Sequence, residues 1–149
     1  MRLKTASMML FWFGILAQSI TILIVSSEYF EYGYSPYLQG YEEKDYLVSN
    51  EVMKFAYYGF IHCAHIVAGY LLAKGKKQGI LWGIGVCAVE IIGAFSPSSF
   101  QYVQTLGWIG IRIFFVMVLL LIISGRKELA HLKTENWRPW KTPFASQTN

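Results

Sequence analysis

Residues 114–123 read FFVMVLLLII, an uninterrupted apolar stretch inside a longer apolar segment that covers residues 105–124. An α-helix rises about 1.5 Å per residue, so about 20 residues are needed to cross the roughly 30 Å hydrocarbon layer of a bilayer. The segment therefore predicts a transmembrane helix.

Three further apolar segments cover residues 8–25, 52–73 and 79–95. The composition of the whole chain also indicates a membrane protein, because it is 54% hydrophobic and 15% charged, whereas soluble domains are about a quarter charged. Four consecutive membrane-crossing helices alternate in direction and can pack as an antiparallel bundle. We therefore expect an all-α integral membrane protein with four transmembrane helices in one membrane domain over residues 1–149.

The basic residues are distributed unevenly along this predicted topology. Four crossings place both chain ends on one side, together with the turn between the second and third helices. That side collects ten of the 13 basic residues, namely Arg2, Lys4, Lys74, Lys76, Lys77, Arg126, Lys127, Lys133, Arg138 and Lys141. Cytoplasmic flanks are enriched in Lys and Arg, so the N- and C-termini are predicted to be cytoplasmic, with residues 126–149 forming a cytoplasmic tail.

The same distribution bears on location and partners. The net charge of +4 indicates orientation in a membrane, and no nucleic-acid partner is expected. We expect a multi-pass protein of the cell membrane in contact with the lipid bilayer.

A second interpretation of the first segment stays open. Arg2 and Lys4 precede the apolar stretch, and the small residues that end with Ser27 suit cleavage of residues 1–27 as a signal peptide. The apolar stretch is longer than the usual region of about 7–15 residues, which favours its retention as a helix.

The connection over residues 26–50 is predicted to be an outer loop rich in tyrosine. Its tyrosines are Tyr29, Tyr32, Tyr34, Tyr37, Tyr41 and Tyr46. Tyrosine combines an apolar ring with a polar tip, which suits an aromatic belt at the membrane surface and also a protein interface. The loop is thus a candidate contact with other membrane subunits.

The tail contains a second aromatic group, in which Trp137 and Trp140 flank Arg138 and Pro139. Indole rings favour the headgroup level of a bilayer and arginine reaches phosphates. We interpret the group as an interfacial anchor, with contact to another subunit as the alternative.

Ionisable residues within membrane segments are costly and are candidates for function. Glu90 and Arg112 lie roughly 8 and 10 Å from the outer ends of consecutive helices, so we expect an ion pair between them. His62 and Gln18 reach comparable depth, which gives an intramembrane polar cluster of Gln18, His62, Glu90 and Arg112. The cluster either fixes the packing of the bundle or forms a small polar pocket.

Metal binding has weaker support. His62 and His65 lie three residues apart on one predicted helix, and His131 in the tail is the third histidine of the chain. We treat the first two as weak candidate ligands and predict no metal and no cofactor.

Small residues on the third segment predict close helix packing. Gly79 and Gly83 form a GxxxG pattern and Gly85 follows; such patterns let helix backbones approach each other in membranes.

The sequence contains no catalytic signature, phosphate-binding loop or metal-ligand array. We therefore expect a non-catalytic accessory or structural subunit of a larger membrane complex. The alternative is a small transporter or membrane enzyme with a polar site of Glu90, Arg112 and His62 in the outer half of the bundle.

Overall fold

The computed structural model describes residues 1–35, 48–93, 106–135 and 137–140. Within these residues the chain is helical and contains no strand. The elements are α1 (Arg2–Tyr32), α2 (Val48–Ala73), α3 (Lys77–Gly93), α4 (Leu106–Gly125), a 3₁₀ turn (Arg126–Glu128) and the short helix α5 (Leu129–Glu135). The all-helical prediction is confirmed.

The four long helices form a closed ring in which each helix packs against the next in sequence and α4 packs against α1. Ser7 lies opposite Gly69 and Gln18 opposite His62, so α1 and α2 are antiparallel. The turn between α2 and α3 is tight and contains Gly75 at a φ of +62°, a backbone conformation that favours glycine.

Three helical stretches among the described residues are long and apolar enough to cross a membrane. They are Arg2–Tyr32, Phe55–Ala73 and Ile109–Glu135, the last of which runs from α4 through the 3₁₀ turn into α5. Many large apolar side chains lie on the outside of the bundle, as Leu23, Leu81 and Ile113 illustrate. This outward apolar surface is typical of an integral membrane protein.

Helix α1 is longer than its apolar segment. It begins at Arg2 instead of residue 8 and ends at Tyr32 instead of residue 25, so residues 26–32 of the predicted outer loop are helical. Its 31 residues span about 46 Å, which exceeds the hydrocarbon thickness. The helix stops at Gly33, whose φ is +75° and whose N–H donates to the carbonyl of Tyr29 at 3.0 Å.

The other boundaries differ less. Helix α2 begins at Val48 rather than at residue 52, and α4 ends at Gly125. Residues 36–47 of the predicted loop lie outside the described residues.

The core follows helical periodicity. Buried apolar residues recur every three or four positions on α1, α2 and α4, as expected for a face that packs inward, and α3 contributes two adjacent residues. These buried residues are Leu3, Ala6 and Leu10 on α1, Ala64, Ala68 and Leu72 on α2, Val86 and Cys87 on α3, and Phe115, Val118 and Ile122 on α4.

The tail folds back over one end of the bundle. The carboxylate of Glu128 accepts a hydrogen bond from the backbone N–H of Leu3 at 3.1 Å, which satisfies one of the free N–H groups that begin α1. Lys4 forms an ion pair with Glu135. Trp137 is only 5% exposed and belongs to the core, so its ring does not serve as the predicted membrane anchor.

Trp140 differs from its neighbour. It is 45% exposed, lies 5.8 Å from the ring of Phe11 and has the guanidinium of Arg138 at 5.5 Å over its own ring. Of the two tryptophans, Trp140 is thus the one with surface left for lipid or for a partner.

Candidate functional site: the polar core of the bundle

Helices α1 and α2 approach at backbone contact distance. A β-carbon added at Gly69 would lie 2.7 Å from both Phe11 N and Ser7 O, and one at Gly14 would lie 2.6 Å from His62 O. The Ser7 hydroxyl donates to the Gly69 carbonyl at 2.8 Å. This close approach brings the polar side chains of the two helices together.

Two members of the predicted cluster meet at this interface. The Nδ1–H of His62 donates to Oε1 of Gln18 at 3.0 Å, and the Tyr58 ring lies nearly parallel to the imidazole, with centroids 6.4 Å apart. His62 is 9% exposed. The hydrogen bond joins α1 to α2 and satisfies a polar group that lipid cannot satisfy.

A second histidine lies one turn further along α2, at the centre of the bundle. His65 is fully buried, and its Nδ1–H donates to the carbonyl of Ile61 at 2.7 Å. Its Nε2 lies 3.6 Å from Oε1 of Glu90 on α3. Nε2 has no hydrogen-bond partner among the described residues, and the carboxyl of Glu90 lies just beyond hydrogen-bond distance from it.

Aromatic rings enclose this histidine. The imidazole centroid lies 5.3 Å from the ring of Phe13 on α1 and 5.2 Å from that of Phe115 on α4. Phe114 stacks on Phe13 at 5.4 Å. All four long helices thus contribute a side chain to one layer, and its apolar walls keep the imidazole away from solvent.

The structure therefore divides the predicted cluster. Gln18 and His62 meet, but Glu90 contacts His65, and in the described part of the chain no ion pair joins it to Arg112. Arg112 lies one turn before Phe115 on α4 and is partly buried. The depth of a residue follows from counting along a helix, whereas its direction depends on the rotation of the helix in the bundle, which counting does not give.

Two residue groups were missed or underrated. His65 was only a weak metal candidate, yet it occupies the centre of the polar core. Ser7 and Gly14 line the contact with α2, and their spacing of seven residues, which places them on one helix face, was the available signal. The described residues contain no group of three potential metal ligands around either histidine.

The three glycines that were predicted to pack against other helices do not all face the same way. A β-carbon at Gly79 would lie 2.4 Å from Leu72 N, and one at Gly83 would lie 2.8 Å from Ile122 Cδ1, so both face inward. Gly85 has no atom within 4 Å of a β-carbon position and is exposed. Among the described residues none packs against Gly85, so the structure shows no packing role within the chain for this residue.

Gly85 instead borders an outward groove between α2 and α3 of about 460 Å³. The groove is lined by Phe60, Ile61, Ala64, Leu81, Trp82, Gly85, Val86 and Val89. Its lining side chains are aliphatic or aromatic, so it can receive an apolar surface, and the indole N–H of Trp82 is the one side-chain hydrogen-bond donor among them.

The two features differ in chemistry. The polar core presents imidazole, carboxyl and carboxamide groups that bind protons or exchange hydrogen bonds, while the groove offers mainly apolar packing. Comparison with models of known families, with curated proteins and with solved structures finds no match to this chain. A proposal about function therefore rests on the geometry of this chain.

Proposed function

We propose that this chain is a non-catalytic accessory subunit of a larger complex in the cell membrane, and that a transmembrane helix of a partner subunit occupies the groove between α2 and α3. The observation that carries the proposal is the groove itself, with two small residues, Ala64 and Gly85, among large apolar ones.

Membrane physics supports a helix as the occupant. Helices in lipid associate through close packing, and small residues at the contact let their backbones approach. Gly85 provides such a position, and no described residue of its own chain packs against it. The imidazoles of His62 and His65 are buried and do not line the groove, so the expected partner helix is largely apolar along this contact.

The aromatic end of α1 is a second candidate contact. Tyr29, Phe30, Tyr32 and Tyr34 are all exposed there, and Phe30 is 96% exposed. These rings suit the headgroup region or a partner surface. The exposed Trp140 is a third candidate, at the other end of the molecule.

Orientation is part of the proposal. We place both termini and the α2–α3 turn on the cytoplasmic side, because the basic residues concentrate there. In a chain without its native cysteines, Lys44→Cys should label from outside and Lys76→Cys from inside with an impermeant thiol reagent. Labelling of both from one side would contradict the four-crossing topology.

The subunit role is tested by purification of the tagged chain from its own membranes in mild detergent. Gly85→Leu fills the groove, and Gly110→Leu is the matched control because Gly110 on α4 is equally open but lies outside the groove. We expect a different polypeptide in fixed stoichiometry with the wild type and the control, and its loss with Gly85→Leu. A homo-oligomer or monomer in all three preparations would contradict the proposal.

The alternative function is a small transporter or membrane enzyme with a polar site that involves Glu90, Arg112 and His62. One observation favours it: the Glu90 side chain is 25% exposed while it contacts a buried histidine. His62→Gln separates the two functions, because glutamine preserves hydrogen bonding but does not titrate. The accessory role expects normal assembly and function of this variant, whereas the alternative expects an assembled but inactive protein.

A further inference from the structure

The contact between His65 and Glu90 does not depend on whether a partner subunit binds the groove. The accessory role makes no use of it, yet it brings two titratable groups together in the interior of the bundle. The His65 side chain has no exposed surface, and that of Glu90 is 25% exposed. A buried ionisable pair in a membrane protein is a candidate site by default.

The hydrogen bond to Ile61 determines which nitrogen faces the carboxyl. A carbonyl oxygen only accepts, so Nδ1 must carry a hydrogen to make the 2.7 Å contact. Nε2 is then the nitrogen that faces Glu90. Without a further proton, the lone pair of Nε2 would point at a negatively charged carboxylate 3.6 Å away, and neither group could donate to the other.

We propose that His65 and Glu90 form a proton-binding site that holds one proton between Nε2 of His65 and the carboxyl of Glu90. The proton makes the pair neutral, either as imidazole with carboxylic acid or as imidazolium with carboxylate. Removal of the proton leaves a net charge of −1, and a second proton leaves +1. Either change leaves an uncompensated charge in a low-dielectric interior, which is unfavourable.

In the part of the chain that the structure describes, Nε2 of His65 has no hydrogen-bond partner. Helices α1 and α4 present Phe13 and the rings of Phe114 and Phe115 to the imidazole. The nearest other titratable or charged groups along the four helices are His62 on α2, Cys87 on α3 and Arg112 on α4, each about one turn away.

Glu90 is the member of the pair with exposed surface, and we assign proton entry and exit to its carboxyl. His65 is closed to solvent, so the carboxyl is the group through which a proton enters and leaves. Proton binding joins α2 to α3 by a hydrogen bond or ion pair, and proton loss replaces that attraction with repulsion. The contact between these helices therefore depends on pH.

Spectroscopy of the full-length protein in lipid nanodiscs tests the site directly. Infrared difference spectra of wild type against Glu90→Gln report the carboxyl, and ¹⁵N spectra of wild type against His65→Asn report the imidazole. At neutral pH we expect one proton on the pair, in either of its two arrangements, and a coupled change of both residues as that proton is removed. An ionised Glu90 beside a neutral His65 at neutral pH, or independent titration, would overturn the proposal.

Thermal unfolding in detergent gives a second readout. Glu90→Gln replaces the carboxyl by an amide whose N–H can donate permanently to Nε2. One proton on the pair favours the folded wild type, so stability falls as pH rises through release of that proton. We expect the unfolding midpoint of Glu90→Gln to lack this fall.

His62→Gln is the matched control, since it changes the other imidazole of α2, which bonds to Gln18 and not to Glu90. It should keep the pH response of the wild type. If the unfolding midpoint of Glu90→Gln falls with rising pH as it does in the wild type, the proposal is contradicted. If Glu90→Gln does not fold, the protonation state of the pair in the wild-type spectra tests the proposal instead.

Discussion

The contact between α1 and α2 and the contact between α2 and α3 are built from similar small residues but have opposite outcomes. Gly14 and Gly69 lie against the facing backbone between α1 and α2. Between α2 and α3 the backbones are equally close at Gly79, beside the turn, but near Gly85 the surface opens into a groove.

The difference shows that the role of a small residue depends on whether it faces a neighbouring helix or the outside of the bundle. A glycine that faces a neighbouring helix lets the two backbones touch, and the contact then excludes other chains. A glycine that faces outward leaves a depression that a further helix can enter. In our account α1–α2 is the permanent interface of the chain and α2–α3 is the interface that is shared with a partner.

The largest expected effect is at the permanent interface. A β-carbon at Gly69 meets backbone atoms of Ser7 and Phe11 at 2.7 Å, and backbone cannot move without separating the helices. We expect Gly69→Ala to lower the free energy of unfolding by about 1–3 kcal/mol, measured by denaturant titration in detergent. Gly59→Ala on the same helix, whose closest neighbour lies at 4.0 Å, is the control and should be neutral or slightly stabilising.

A smaller effect is expected at Gly83. The atom that a β-carbon would meet there at 2.8 Å is Ile122 Cδ1, the end of a flexible side chain. Rotation of that side chain should absorb much of the clash, so Gly83→Ala should cost less than Gly69→Ala in the same titration. A larger loss at Gly83 than at Gly69 would show that α3–α4, and not α1–α2, is the rigid contact.

The smallest effect concerns the hydrogen bond across the permanent interface. Ser7→Ala removes the donor to the Gly69 carbonyl, and such bonds in membranes contribute about 0.6 kcal/mol on average. Ser27→Ala is a suitable control, because Ser27 bonds only to Ile24 of its own helix. Equal stability of the two variants would indicate that the Ser7 bond adds nothing beyond local packing.

Much of the fold could be predicted from the sequence, because the length of an apolar segment determines whether it can cross a bilayer. The segments near residues 8–25 and 105–124 both correspond to helices. Apolar length does not report how far a helix continues beyond the membrane, so residues 26–32 were assigned to a loop. The burial of Trp137 was also missed, because an amphipathic ring suits a membrane surface and a protein core equally well.

The site was harder to predict. Gln18 and His62 were selected for their depth and do meet, but depth alone paired Glu90 with Arg112. Successive residues turn about the helix axis by roughly a quarter of a circle, so the partner of a side chain depends on the rotation of each helix. That rotation is fixed by contacts such as Gly69 with Ser7 and Phe11, which are distributed over separate segments of the chain.

The most direct test of the central claim is cross-linking in intact membranes from a photoreactive residue placed at position 85. Position 110, which is equally open on α4, serves as the control. Our account predicts a cross-linked product with a different polypeptide of one defined mass from position 85 and none from position 110. Products only with lipid or with a second copy of the chain, or equal products from both positions, would contradict it.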